Sequence, residues 1–229
     1  RVNYNAYYGT QAPARKLDLL NATEYATLRN EASVAGGGSI VFEDPQSFGK
    51  GTDWQDYVFN DDARIQSHDI SISGGNGKST FYASYGYLNQ EGIVATEISN
   101  YERHNVRLNS SHKITDWLTF GQNLGYSHIK SMGGFNPNTE FGGPLNSAIN
   151  LDPITPVLIT DPEILNDPNS IYNRQPVIRN AQGYPYGIST IVMQEMTNPL
   201  AYIQTQLGNY GWSDNIVGNT YAELEPLKG

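Results

Sequence analysis

Leu118-Thr119-Phe120-Gly121-Gln122-Asn123-Leu124-Gly125-Tyr126-Ser127 alternates with period two. In an extended chain Leu118, Phe120, Leu124 and Tyr126 point to one side, and Thr119, Gly121, Asn123, Gly125 and Ser127 to the other. The polar side is unusual for a soluble strand. It carries small and neutral polar residues in place of solvated charges.

The same alternation recurs on both sides of this stretch. Ile70 and Ile72 oppose Asp69, Ser71 and Ser73; Phe81, Ala83, Tyr85 and Tyr87 oppose Tyr82, Ser84 and Gly86. Val106 and Leu108 oppose Arg103, Asn105, Arg107 and Asn109, and Ile216, Ala222 and Leu224 oppose Asn219, Glu223 and Glu225. With the opening Val2-Asn3-Tyr4-Asn5-Ala6-Tyr7-Tyr8, strands are predicted near 2–11, 67–75, 79–89, 101–112, 118–130 and 212–225. These lengths approach the ~9–11 residues with which a tilted strand crosses a bilayer.

Alternation alone does not say which face is inside. A sandwich turns its apolar face to the core and its charges to water. A transmembrane barrel inverts this, with a polar lumen and an apolar band against lipid. Connection lengths separate the two. Gly75-Asn76-Gly77-Lys78 is a short turn with a type I′ signature, and Ile114-Thr115-Asp116 forms another. The other three connections run to about 55, 12 and 80 residues, against ~2–5 for ordinary hairpins. Short and long strictly alternate, as in barrels with tight periplasmic turns and long extracellular loops. The expected fold is all-β: about six antiparallel strands of a larger transmembrane barrel, odd strands running outward. Ile70, Ile72, Phe81, Ala83, Val106, Leu108, Phe120 and Leu124 then face lipid. Ser71, Ser73, Arg103, Asn105, Arg107, Asn109, Asn123 and Gly125 face the lumen.

Composition excludes several alternatives. The 229 residues carry 14 Lys and Arg against 23 Asp and Glu, a net charge of −9, which argues against nucleic acid as partner. Absence of cysteine removes disulfides and thiolate sites, and fits an envelope or secreted protein better than a cytosolic one. No apolar run approaches ~18 residues, so no membrane-spanning helix is expected. No signal peptide is visible at Arg1, and the opening strand reads as cut from a longer polypeptide.

Short helices are expected in the large loops. Asn21 with Glu24 reads as a capping box, followed by a Tyr25, Leu28, Ala32 stripe and a Gly36-Gly37-Gly38 stop. Thr52 with Gln55 reads as a second box, and Asn198-Pro199 starts a third helix running to about Gln206. The stretch from about Ser131 to Pro185 is rich in Pro, Asn and Gly. Gly74 to Thr80 looks like the tail of a phosphate-binding loop. It lacks the required earlier glycine, which is Ile72, and the following helix, and is read as a turn. His68, His104, His112 and His128 are read as lying on separate strands without metal-ligand spacing, and no metal or cofactor is expected. Glu223 and Glu225 have no identified acid partner for glycoside hydrolysis. Tyr4, Tyr8, Tyr87, Trp117, Tyr126 and Trp212 suit an interfacial girdle. The loop aromatics Trp54, Tyr57, Phe59, Tyr172, Tyr184 and Tyr186 either stack on a sugar or partner, or pack the loops together. Of these, Trp54, Tyr57, Tyr172, Tyr184 and Tyr186 are the binding candidates.

Several stretches, in order, resemble a known family. They are Lys16-Leu17-Asp18-Leu19-Leu20-Asn21-Ala22-Thr23-Glu24-Tyr25-Ala26, Gly51-Thr52-Asp53-Trp54-Gln55-Asp56 and Ile70-Ser71-Ile72-Ser73-Gly74-Gly75. Then follow Tyr87-Leu88-Asn89-Gln90-Glu91-Gly92-Ile93, Arg103-His104-Asn105-Val106-Arg107-Leu108-Asn109 and the closing stretch from Asn219 to Gly229. Together they resemble the SusC/RagA-type TonB-dependent outer-membrane transporters of Bacteroidetes. The resemblance implies a barrel of ~22 strands with an internal plug, a TonB-engaging region, a SusD-like surface lipoprotein as lid, and glycans or peptides as cargo. It matches residues 1–229 to part of the barrel, with loops at about 12–66 and 131–211. Plug and TonB-binding region are then absent from this stretch, and an importer rather than an enzyme is expected. The rival readings are a secreted all-β carbohydrate-binding module, marked by a sheet that closes on itself in water, and a β-rich glycoside hydrolase.

Overall fold

The computed structural model describes residues 1–132, 142–192 and 196–226. The stretches 133–141 and 193–195 of the third long connection, and Leu227-Lys228-Gly229 of the closing resemblance stretch, lie outside them. Six strands form one sheet: β1 (Val2–Gln11), β2 (Ala63–Gly75), β3 (Ser79–Glu91), β4 (Asn100–Lys113), β5 (Leu118–Met132) and β6 (Tyr210–Leu224). They are antiparallel and adjacent in sequence order, with β1 and β6 as the two edges. The alternating segments all became strands, several extending two to four residues beyond the sequence boundaries.

Both short turns lie at one end of the sheet and all three long connections at the other. The β2–β3 turn departs from expectation, because neither Asn76 nor Gly77 takes the positive φ of a type I′ turn. The Asn76 side chain closes it instead, its Oδ1 accepting the Lys78 and Ser79 amides at 2.8 and 2.9 Å. The β4–β5 turn is held by the Ile114 amide donating to the Leu118 carbonyl at 2.8 Å.

Register divides the sheet into two chemically distinct faces. One row across the strands reads Val2, Ile72, Ala83, Leu108, Leu124, Gly218, and its neighbour Tyr4, Ile70, Tyr85, Val106, Tyr126, Ile216. The opposite face carries Asn5, Asp69, Gly86, Asn105, Ser127, Asn215 in one row and Asn3, Ser71, Ser84, Arg107, Gly125, Val217 in the next. Among the described residues no layer covers the apolar face: Ile72, Leu108 and Leu124 remain 44%, 42% and 41% exposed. Gly121 sits on the polar face under the Tyr221 ring, where a Cβ would lie 2.2 Å from Cζ.

The chain's buried core lies instead in the loops, stitched into one lobe. Helix α1 (Ala22–Ala35) has the Asn21–Glu24 capping box, with Gly36 at its end. Its buried residues are Ala22 and Ala26, while Leu28 of the expected stripe is 47% exposed. The helix start approaches the following loop closely: the Ala22 and Thr23 amides donate to the Lys50 and Gly49 carbonyls, and the Ala22 methyl lies against Gly51. Helix α2 (Trp54–Val58) is capped by Asp53, whose carboxylate accepts the Gln55 amide; Thr52 is drawn away to donate to the Thr155 carbonyl. The third connection holds α3 (Pro144–Asn150), α4 (Pro162–Asn166), α5 (Ile171–Arg174) and α6 (Pro199–Gln206). Of these, α6 has the expected Asn198 cap and Pro199 start. Helices α3 to α5 were not foreseen in the Pro- and Asn-rich stretch. Among the described residues no helix is long and apolar enough to cross a membrane.

Candidate functional site

The polar face holds a hollow of about 580 Å³ bordered by residues of all six strands, so the sheet curls toward this side. Asn5, Asp69, Arg103, Asn105, Arg107 and Asn215 line it. Asn109 and Asn123 follow toward the turns in the row Ser73, Tyr82, Asn109, Asn123, Asn219. Neighbouring strands exchange neutral hydrogen bonds here: Ser127 Oγ donates to Asn105 Oδ1 at 2.8 Å, and Asn123 Nδ2 to Asn219 Oδ1 at 3.0 Å. Asp69 accepts from Ser67 Oγ at 3.3 Å and leans over the bare backbone of Gly86. Such a surface offers many donors and acceptors, with Tyr82 and Val217 among them, which suits a hydrated solute.

The apolar face ends toward the loops in an aromatic zone. Its next row is Ala6, His68, Tyr87, His104, His128, Asp214, followed by Tyr8, Gln66, Asn89, Glu102, Lys130, Trp212. Three of the four histidines are therefore aligned rather than scattered. The expectation of four separate strands fails, because the 14-residue β4 carries both His104 and His112. The aligned rings pair with neighbours: Tyr4 with His68 at 2.8 Å, Tyr85 with His104 at 2.7 Å, and His128 with Asp214 at 2.7 Å. Among the described residues no cluster of three or more His, Asp or Glu is arranged to hold a metal ion. Sequence reading placed these histidines individually but not in register, because alignment across strands depends on pairing offsets that only the assembled sheet displays.

The loop aromatics separate into two groups. Trp54 is 2% exposed; its indole donates to the Asp152 carbonyl at 2.9 Å, and the ring packs with Val58, Ala148 and Leu151. Tyr172 is buried too, and its hydroxyl accepts the Ile188 amide at 3.0 Å. These two hold the lobe together and keep little exposed surface, although Trp54 also borders the cavity that Tyr57 lines. Tyr57 and Tyr184 are exposed, and Tyr186 is half-buried, its hydroxyl donating to Gln204 Oε1 at 3.4 Å. Tyr57 borders a 750 Å³ cavity between the first and third connections, whose wall includes Tyr25, Lys50, Asp53 and Asn150. The structure thus separates the candidates: a polar wall on the sheet, and a second group at the loop end.

Asp152 organises the lobe around that cavity. Its buried carboxylate accepts the Ile154 and Thr155 amides, the Thr155 hydroxyl and the Ser189 hydroxyl. Gly51, at φ +67, brings the first connection against the third; a Cβ there would lie 2.2 Å from the Pro153 carbonyl oxygen. Sequence reading missed Asp152 as a structural centre. Ile154 and Thr155 are local partners, but Trp54 and Ser189 lie far along the chain in both directions.

No protein-family model matches the chain. Among curated proteins it is 26% identical over 225 residues to TonB-dependent receptor P26 of Formosa agariphila, covering 98% of this chain and 20% of that protein. It is 30% identical over 158 residues to TonB-dependent receptor SusC of Bacteroides thetaiotaomicron, covering 68% of this chain and 14% of that protein. The chain thus spans about a fifth or less of these relatives. Among solved structures, the RagAB peptide transporter superposes on the whole chain with a TM-score of 0.67 at 21% identity, using 26% of that protein's chain. The RagAB peptide importer in its open-open state gives 0.68 at 20% identity, again over the whole chain and 26% of its own. The fold is that of a β-barrel segment. In sequence and fold the chain corresponds to a stretch of SusC/RagA-type TonB-dependent transporters.

Proposed function

We propose, for a chain that corresponds to a stretch of SusC/RagA-type TonB-dependent transporters, that it builds one side of the wall of an outer-membrane nutrient importer. It acts through binding and passage rather than catalysis. The observation that supports this best is the division of one sheet into an uncovered apolar face and a curled polar face, with every long connection at the same end. Lipid solvates the apolar face and its Tyr and Trp zone; the polar face lines the path of a hydrated cargo. Lumen-facing roles fall to Arg103, Asn105, Arg107, Asn109 and Asn123. At the loop end, Tyr57, Tyr184 and Tyr186 keep ring surface for cargo or lid contact.

The cargo is a glycan or oligosaccharide, or else a peptide, as in the name of the RagAB neighbours. A SusD-like surface lipoprotein covers the loop end. TonB acts through a plug and binding region in other parts of the polypeptide. The secreted-module reading requires a sheet that closes on itself; here β1 and β6 are unpaired edges of an open one.

The test uses cells producing the full-length transporter, supplied with pooled oligosaccharides and oligopeptides. Selective depletion of one class, lost when TonB is deleted, is expected. Depletion that persists without TonB, or a protein that fractionates with soluble secreted material, overturns the reading.

A further inference from the structure

Several cationic side chains in this chain have partners. Lys16 binds Asp56 and Asp61, Lys113 binds Asp116, Lys130 lies over the Tyr210 ring, and Arg179 donates to two backbone carbonyls. Arg103 and Arg107 stand out by position. Both line the hollow of the polar wall, and among the described residues neither makes an ion pair or a side-chain hydrogen bond. Arg103 Nε is also shut off from solvent without a partner. Buried donors left unpaired are rare in native proteins and call for an explanation.

The geometry supplies one. Arg103 and Arg107 stand on the same face of β4, one residue to either side of Asn105 in the face's own count. Their backbones are about 13 Å apart at ~3.3 Å per residue, close enough for two long side chains to converge at the level of Asn105. Asn105 accepts from Ser127, which leaves its amide hydrogens free to donate toward the same point. Asp69 is the acid of this hollow and is engaged with Ser67, so one positive charge remains in excess.

We propose that Arg103 and Arg107 form a carboxylate-binding site on the wall, filled by an acidic oligosaccharide or an acidic peptide. Planar guanidinium forks match carboxylates in two-point hydrogen bonds. The inference rests on the importer reading only in that the hollow lies on the cargo path.

The experiment is calorimetric titration of the detergent-solubilised full-length transporter with trigalacturonate, tetraglutamate and neutral maltotriose. One acidic probe is expected to bind roughly tenfold more tightly than maltotriose. That preference weakens severalfold between ~0.05 and ~0.5 M salt, as screening shortens the reach of charge. Trigalacturonate against tetraglutamate tells sugar from peptide. Arg103→Gln with Arg107→Gln removes the preference, in barrels verified as folded by heat-shifted gel mobility. The wild-type comparison stands even where the variants misfold. Equal binding of acidic and neutral probes, absence of binding by all three, or a preference that survives the double substitution overturns the site. An arginine pair already held by another part of the polypeptide gives no preference and a lower melting temperature in the variant, which also overturns it. Failure of the importer reading registers separately, as uptake indifferent to TonB, whatever the titration gives.

Discussion

Adjacent residues Asn123 and Leu124 lie on opposite faces of the sheet. Asn123 shares a hydrogen bond with Asn219 on the polar face, and Leu124 stands between Leu108 and Gly218 on the apolar one. Arginine at position 123 projects into water and is expected to be tolerated. Arginine at 124 meets hydrocarbon, at a cost of ~2–4 kcal/mol near the bilayer midplane. Outer-membrane yields of folded full-length Asn123→Arg and Leu124→Arg check this; equal yields count against the facing assignment. Gly121 offers a second residue-scale test. With the Tyr221 ring resting on it, Gly121→Val forces the ring aside. Overpacking of this kind costs ~1–3 kcal/mol, read as a lower urea midpoint, whereas Gly125→Val, 3.7 Å from its nearest neighbour, is expected to be milder. The alternation that fixes these faces is legible in the amino-acid sequence because side-chain direction in a strand is purely periodic. The ring over Gly121 is not, since it depends on the offset between β5 and β6.

Among the elements, the strands were visible from sequence and three of the helices were not. Helices α3 to α5 span four to seven residues, too short for a 3.6-residue period to register. Proline at the first turn of α3 and α4, and the caps Asp161 and Ser170, were the available signals. The loop aromatics posed a different difficulty. Trp54 is buried by residues about a hundred positions downstream, and no local pattern foretells that. Asp152→Ala is expected to unstitch the lobe, because the Ile154 and Thr155 amides lose their acceptor. Each unsatisfied amide costs ~1–3 kcal/mol. Limited proteolysis then cuts the 142–192 segment faster, with the strands still protected. Tyr172 gives an alkaline signature. Burial pushes its phenol above the ordinary value of 10.0, so the fold favours the neutral form. That contribution is intact below about pH 10 and is lost as pH climbs toward the raised folded value. Tyr172→Phe is expected to flatten this loss above pH 10 in proteolysis of the lobe. It also weakens the lobe at neutral pH by leaving the Ile188 amide unpaired.

As a whole molecule the chain joins a sheet without a core to a lobe that has one. Both edges of the sheet carry unpaired backbone groups, and neither water nor lipid leaves them harmless: in water they recruit other chains, and in hydrocarbon they go unsatisfied. The 229-residue chain purchased alone by expression, without detergent, is expected to sediment as aggregates and to lack a sharp unfolding transition. A soluble monomer melting cooperatively contradicts the barrel-wall assignment and revives the secreted module. The overall plan was legible because loop length sorted by parity, a property of topology that survives in sequence. Curvature and the lobe were not, because both arise from contacts between distant segments.

The stitching of the lobe also imposes a timetable on biogenesis. Thr52 and Trp54 bind the backbone at Thr155 and Asp152, and Asn198 binds Val157 and Gly187. Four strands, β2 to β5, lie between the first of these partners and the second. If the strands enter the bilayer as hairpins, their long connections must be threaded to the far side before the bonds of Thr52 and Trp54 can close. The lobe is then the last region to mature, and it reports on completed insertion. Protection of Trp54, followed by its fluorescence during refolding into vesicles, is expected to lag behind strand formation rather than accompany it.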